Sequence, residues 1–271
     1  MIQITDLYRS YNGKEILKNI DLEIEQGSFT VIAGANGSGK STLIKHLNAI
    51  LAPERGSVVV DGMDTRDRDR LFDIRERVGM VFQNPDSQSV ASIVEDDTAF
   101  APENLGLDEA ETAKRIEFAL DAVGISELRR RPVSTLSGGQ KQLAAIAGIL
   151  AMCPKYMVFD EATSMLDPAA RRRILDCVKR LRRELGIAVI WVTHYMDEAA
   201  EADRLIVLDK AGIAADGSPR EIFADAKLIA QCALELPPCA ALGARLGRLT
   251  PLPMTAAECA EAIIKLTEAR V

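Results

Sequence analysis

The sequence predicts an α/β fold: a mostly parallel central sheet with an antiparallel N-terminal β-subdomain, a helical insertion and a small C-terminal extension. Three observations carry this. Short apolar strands alternate with helical segments, the pattern of a parallel sheet with helices on its faces. A Gly-rich loop joins one of those strands directly to a helix. Between about residues 84 and 150 strand signals vanish and helical periodicity takes over. The 271 residues, 48% apolar and 27% charged, have an ordinary globular balance and are enough to bury a large core.

Ile2 to Tyr8 alternates apolar and polar residues, as a half-buried strand does. Asn12-Gly13 supplies a turn into a second strand, Ile16 to Ile24. Gly27 then precedes Phe29 to Ala33, a β-branched run apolar on both faces, which suits a central parallel strand. The Gly-rich loop follows, then a helix from about Lys40 to Ile50, and strands at Val58–Val60 and Val78–Phe82. In the insertion, Asp108 to Val123 is the clearest helix. Strands return at Tyr156–Phe159, Ala188–Val192 and Leu205–Leu208, with a helix from Pro168 to Leu185, stopped by Gly186, between the first two. After about Ala224 the composition shifts. Leu236-Pro237-Pro238 and Thr250-Pro251-Leu252-Pro253 break the chain, and Thr255 with Glu258 forms a capping box opening a helix to Ala269. The expected division is 1–224 for the main domain and 225–271 for an accessory region.

A net charge of −7 argues against nucleic acid as the main partner. Five cysteines, an odd number without a CxxC pair or a histidine cluster, read as reduced, mostly packed thiols of a cytosolic protein. The N-terminus shows no basic-then-apolar targeting stretch. The longest apolar candidate, Leu143 to Cys153, contains Gly148 and is closed by Pro154; it falls short of the roughly 18 residues a bilayer span needs. Membrane attachment is therefore expected through a partner.

Gly34-Ala35-Asn36-Gly37-Ser38-Gly39-Lys40-Ser41, followed by Thr42, matches G-x-x-x-x-G-K-[ST]. The glycines let consecutive backbone N–H groups curl around phosphate oxygens, and the following helix points its positive end at the same anion. Lys40 is expected to reach the β- and γ-phosphates and Ser41 to ligate Mg²⁺. The strand Tyr156–Phe159 ends in Asp160-Glu161. Strand alternation sends the two carboxylates in different directions, so Asp160 can hold Mg²⁺ through water while Glu161 faces the attacking water as general base. His194 ends another apolar strand, where it can hydrogen-bond a γ-phosphate; an isolated strand-end histidine is more often a polar cap, but its place after the strand next to the acidic pair favours the phosphate role. His46, inside the first helix, reads as structural. Gln83, at the end of Val78–Phe82, is placed to bridge Mg²⁺ or water to the insertion.

Leu136-Ser137-Gly138-Gly139-Gln140 is the deciding feature. Ser137 N-caps a helix whose first N–H groups two glycines leave uncovered, making a second anion site apart from the first. Two such sites in one chain fit a head-to-tail dimer, each ATP lying between one subunit's cradle and the other's Ser137–Gln140 segment. A second copy or a paralogue satisfies this equally.

With this ordered set, including Ser164-Met165-Leu166-Asp167, residues 1 to about 224 resemble the ABC ATPases, a branch of the P-loop NTPases. The resemblance implies that Tyr11 stacks on adenine, although a hairpin aromatic covering the sheet fits it too, and that Asp167 senses the opposite subunit. Residues 81–88 (Val-Phe-Gln-Asn-Pro-Asp-Ser-Gln), 102–106 (Pro-Glu-Asn-Leu-Gly), 160–168 and 193–199 are similar to ATPases of energy-coupling factor transporters. That implies an ATP-hydrolysing, Mg²⁺-dependent subunit at the cytoplasmic face of a prokaryotic membrane. It would work with a second ATPase, a transmembrane coupling subunit and a small membrane protein that captures a vitamin or metal ion. The tail from Asp225 resembles that group's C-terminal extension, which adds dimer contacts. Two departures stand out: Leu143 where many relatives carry Arg, and Ser89 in place of a bulky apolar residue. The first bears on packing of the helix after Ser137, the second on the groove that receives the membrane subunit. Other readings are the ATPase of another ABC importer or exporter, a soluble ABC mechanoenzyme, and a P-loop kinase.

Overall fold

The computed structural model describes residues 1–246 and 251–268; Thr250 and Ala269 of the predicted tail lie outside them. The first part of the chain forms β1 (Ile2–Tyr11), β2 (Lys14–Ile24), β3 (Phe29–Gly34), α1 (Lys40–Leu47), β4 (Arg55–Val60), β5 (Met63–Asp64), α2 (Leu71–Arg77) and β6 (Val78–Val81). Three longer helices follow: α3 (Val94–Asn104), α4 (Glu109–Val123) and α5 (Gly138–Leu150). The chain then returns to strands and helices with β7 (Tyr156–Asp160), α6 (Pro168–Leu185), β8 (Ala188–Val192), α7 (Met196–Ala199), β9 (Arg204–Asp209) and β10 (Gly212–Gly217). It closes with α8 (Pro219–Ala224), α9 (Ala226–Gln231), α10 (Pro238–Leu246) and α11 (Ala256–Glu268).

These strands make two sheets. A four-stranded antiparallel sheet has the order β2-β1-β4-β5, and a six-stranded sheet the order β10-β9-β3-β8-β7-β6. Within the larger sheet only β10 runs antiparallel. Its central strands are buried on both faces, which is why they read as unbroken apolar runs. Val31, Met157, Phe159, Val189 and Trp191 share one core with α4, α5 and α6. Their neighbours Ile32, Val158, Ile190 and Val192 share a second core with α1 and the antiparallel sheet. Asp160 follows Val158 in the strand alternation and so falls on the α1 side.

Local signals set several boundaries. Helix α6 starts at Pro168 because Asp167 accepts from the N–H groups of Ala169 and Ala170, and it stops at Gly186 in the left-handed conformation (φ +67°). Helix α4 is capped by Asp108 and by Gly124 in the same way. Elsewhere the structure departs from the sequence pattern. Strand β1 runs on to Tyr11 because register shifts after Ile4, Leu7 and Arg9 break its alternation without breaking its pairing. Helix α1 ends at Leu47, short of Ile50, since Ala49 takes φ +56° and the Asn48 side chain accepts from the Ile50 N–H. Helix α2 buries only Ile74, too little to show a period, and β10 exists through its pairing with β9.

The Thr255 hydroxyl accepts from the Glu258 N–H as a cap should, while the Glu258 carboxylate accepts from the Met254 N–H and pairs with Arg220 of α8. All five thiols are free; Cys177, Cys232 and Cys259 are buried, Cys239 is half-buried and Cys153 is exposed. Among the described residues no helix is long and apolar enough to cross a membrane.

Strand β6 approaches α5 closely at Gly79, where a Cβ would lie 2.2 Å from Cγ2 of Ile149. Gly79→Ala is expected to destabilise the fold by about 1–3 kcal/mol through overpacking, read as a lower urea midpoint at unchanged slope.

Candidate active site

Strand β3 ends at Gly34, and the loop to α1 depends on glycine at two points. At Gly34 (φ +146°) a Cβ would sit 2.3 Å from the Leu208 carbonyl oxygen and 2.8 Å from Ser38 Oγ. At Gly39 (φ +103°), the N-cap of α1, it would sit 2.6 Å from the Ile16 carbonyl oxygen. The chain therefore closes tightly enough to line Lys40 up inside the loop. Lys40 is 5% exposed, and its Nζ donates to the carbonyls of Gly34 (2.9 Å) and Ala35 (3.0 Å). Burial lowers its pKa from the ordinary 10.5, opposed by the charges of Glu161 and Asp160. The loop fits an anion on its own chemistry: no side chain caps the first turn of α1, and the buried Ser38 hydroxyl has no protein partner.

A cavity of about 240 Å³ opens over this loop, lined by Tyr11, Ile16, Asn36, Gly37, Gly39, Lys40, Ser41, Thr42 and Glu161. Tyr11 is 42% exposed, with the Arg9 guanidinium 4.9 Å from its ring centroid. At the floor the Ser41 hydroxyl donates to Asp160 Oδ1 at 2.8 Å. This pair of hard oxygen donors fits a small divalent cation such as Mg²⁺.

Glu161 leaves the strand differently from the way alternation alone implies. Its backbone takes φ +50°, a left-handed conformation uncommon for a side-chain-bearing residue, and its N–H donates to the Val192 carbonyl at 3.1 Å. The turn carries its carboxylate to within 3.9 Å of His194 Nδ1. The His194 ring packs on Tyr195, with centroids 4.1 Å apart. Gln83 Nε2 donates to Ser164 Oγ at 3.0 Å, on the segment that follows Glu161. His46 is buried, with Nδ1 2.7 Å from the Thr42 carbonyl oxygen. Burial lowers its pKa, in keeping with a structural role.

Ser137 opens α5 with a full capping box: its hydroxyl accepts from the Gln140 N–H, and the Gln140 side chain accepts from the Ser137 N–H. None of Ser137, Gly138, Gly139 or Gln140 lines the cavity over the loop of the same chain. The two glycines instead pack close to Leu166 and Ala170, the ends of the segment around Asp167. Side chains just beyond Gln140 tie this helix to the loop after Gln83. Lys141 pairs with Asp86 at 2.6 Å, and the buried Gln142 donates to the Phe82 carbonyl at 3.5 Å.

One constellation was not legible in the sequence. Glu198, 3% exposed in α7, accepts hydrogen bonds from Thr163 Oγ1 (2.9 Å), Trp191 Nε1 (2.9 Å) and Thr193 Oγ1 (2.7 Å). The only sequence signal is an acid one helical turn after His194, and acids at that spacing are usually solvated.

A phosphate cradle beside an acid-tipped strand, on a sheet interrupted by a helical unit that opens with Ser-Gly-Gly-Gln, defines an ATP-binding cassette, a nucleotide-binding ATPase. Residues 17–164 match the family model described as ABC transporter. The chain is 52% identical over 254 residues to the energy-coupling factor transporter ATP-binding protein EcfA1 of Symbiobacterium thermophilum, covering 92% of this chain and 88% of that one. It is 44% identical to the cobalt import ATP-binding protein CbiO of Syntrophus aciditrophicus, over 89% of this chain and 87% of the relative. Among solved structures it is similar to cbiO1 from Clostridium perfringens, described as part of the ABC transporter complex cbiONQ, with a TM-score of 0.78, 36% identity and coverage of 85% and 93%. It is also similar to a dimer of the ATP-binding cassette MJ0796 bound to ADP and Pi in a post-hydrolysis state, with a TM-score of 0.73, 28% identity and coverage of 81% and 99%. The chain thus belongs to the ABC transporter family and, within it, to the ATP-binding proteins of energy-coupling factor transporters.

Gly39→Ala, forced into φ +103° with a backbone oxygen 2.6 Å from the new methyl group, must rebuild the loop. It is expected to cost at least about 2 kcal/mol of stability, measured as a fall in thermal midpoint.

Proposed function

We propose that this chain powers substrate import, of the vitamin or metal ion class, by hydrolysing ATP at the cytoplasmic face of a membrane within an energy-coupling factor-type transporter. One observation carries the reading. The Gly34–Ser41 loop, the Ser41–Asp160 pair and the facing Glu161 and His194 side chains meet at one edge of one sheet, with separations of 2.8 and 3.9 Å.

In this reading residues 1–224 form the nucleotide-binding domain and 225–271 an accessory region with dimer contacts. Tyr11 stacks on the adenine. Backbone N–H groups from Gly34 to Thr42 hold the phosphates, and Lys40 turns from the carbonyls of Gly34 and Ala35 toward the β/γ bridge. Ser41, Gln83 and, through water, Asp160 would hold Mg²⁺, which would offset charge building on the transferred phosphoryl group. Glu161 takes a proton from the attacking water, and His194 holds a γ-phosphate oxygen and the Glu161 carboxylate in register. The far side of the γ-phosphate is met by Ser137, Gly138, Gly139 and Gln140 of a second ATPase subunit, so ATP binds the closed dimer better than the open one and hydrolysis releases it. The dimeric MJ0796 cassette and the membership of cbiO1 in a multi-subunit transporter complex support such an assembly.

The coupling partner has a candidate seat. A groove of about 200 Å³ lies between the end of β6 and the insertion, lined by Met80, Phe82, Gln88, Val90, Phe100 and Ile149 among others. Val90 and Phe100 are 58% and 50% exposed at its rim. Ser89 bonds Asp97, whose carboxylate also accepts from the N–H groups of Val90 and Ala91, so the rim loop is fixed from within. A transmembrane coupling subunit would dock here and feel movement of the Gln83 loop, with the substrate-capture protein beyond it.

Glu161→Gln is expected to abolish turnover while trapping an ATP-bound dimer on size exclusion; hydrolysis at the wild-type rate would sink the general-base role. Lys40 makes a second expectation with a definite sign. Burial holds its pKa below 10.5, and bound phosphates would return it toward that value. ATP then binds the protonated form. Affinity is level at low pH and falls, by up to about tenfold per pH unit, as pH rises through the lowered pKa toward the ordinary one. Calorimetric Kd values followed as pH rises toward 10.5 test this, and Lys40→Arg, a permanent cation, should flatten the fall.

A further inference from the structure

We infer that Glu198 is a positioning residue for ATP hydrolysis. Its buried carboxylate clamps the loop carrying His194 to the segment carrying Glu161 and so sets the separation of the two side chains. The inference rests on the proposed roles of Glu161 and His194.

A carboxylate that is 3% exposed is costly to bury unless donors surround it. Here three donors do, from two places in the chain. Thr163 lies two residues beyond Glu161, on a turn closed by the Ser164 N–H bonding the Glu161 carbonyl at 3.0 Å. Thr193 directly precedes His194, and Trp191 lies in the strand before it. The Thr193 hydroxyl also accepts from the Tyr195 N–H at 3.0 Å. One hydroxyl thus fixes the backbone on both sides of His194 and hands the restraint to Glu198. Trp191 is in turn immobilised between Phe159, at 4.7 Å, and Phe29, at 6.4 Å. Charge-assisted bonds in a dry site are short, strong and directional. The carboxylate therefore joins residues 163 and 193, which flank the 3.9 Å approach of Glu161 to His194, and touches no part of the cradle cavity.

The chemistry predicts which variant keeps the clamp. In Glu198→Gln the amide oxygen can accept from Trp191 and Thr193, while its NH₂ donates to the Thr163 hydroxyl, so all three contacts survive. In Glu198→Ala none does.

The test measures single-turnover ATP hydrolysis and ATP affinity for the full chain assembled with its co-purifying subunits. For Glu198→Ala the expected result is hydrolysis slowed by about tenfold or more with ATP affinity within about twofold of wild type. Glu198→Gln should restore the rate to within about threefold, and Glu198→Ala should add nothing to the loss caused by His194→Ala. Wild-type hydrolysis in Glu198→Ala, a Gln variant as slow as the Ala variant, or a loss that multiplies that of His194→Ala would each overturn the inference. Should Glu198→Ala fail to fold, Thr193→Val removes one donor and must show the same slowing at unchanged affinity; an unaltered rate would overturn the clamp. His194→Ala with wild-type hydrolysis would instead overturn the underlying role of His194, a result separable from failure of the clamp alone.

Discussion

The register of three parallel strands is the constraint on which the site depends. Ile32 of β3 and Asp160 of β7 both lie opposite Val192 of β8, so β7 and β8 end level while β3 runs two residues further, beside β9, to Gly34. Each then releases a different piece of chemistry: the glycine loop from β3, the Asp160-Glu161 pair from β7, and Thr193-His194 from β8. Slipping one strand by a residue would turn its whole side-chain set to the other face. Two cores, one on each face, penalise such a slip, because the odd and even residues of every central strand are already committed. Hydrophobic packing thus fixes the separations of polar groups at the sheet edge.

At that edge the backbone departs from regular geometry where chemistry requires it. Gly34 and Gly39 adopt left-handed angles that side chains disfavour, and in both places a neighbouring backbone oxygen occupies the space a Cβ would need. Glu161 adopts such an angle while keeping its side chain, and is held there by its bond to Val192 and by the turn to Ser164. The buried charges nearby are compensated unequally. Lys40 bonds to loop carbonyls, and burial outweighs the pull of Glu161 and Asp160, so it stays short of its normal basicity. Glu198 has three donors and is fully matched. An under-compensated cation suits a site built for a phosphate, and a matched carboxylate suits a fixed brace.

The helical insertion is bound to this edge through few polar links. Gln88 accepts from the Phe82 N–H and donates to the Met80 carbonyl, Gln142 reaches the Phe82 carbonyl, and Lys141 pairs with Asp86. All of them meet the stretch around Gln83, which also touches Ser164. A shift at the sheet edge can therefore reach both the start of α5 and the apolar groove beside β6 through one short piece of chain.

The sequence by itself determined what is local. The Gly34–Ser41 loop, the Ser137–Gln140 cap, the acids ending β7 and the limits of α6 between Pro168 and Gly186 are each written in consecutive residues, because turn angles, caps and strand ends are set by near neighbours. The tertiary structure alone decided what joins distant residues. It carried β1 past its register shifts, paired β10 to β9, turned Glu161 toward His194 and gathered Thr163, Trp191 and Thr193 around an acid 35 residues from the first of them. Such contacts gain their strength from burial and exclusion of water, quantities that exist only once the sheet has closed.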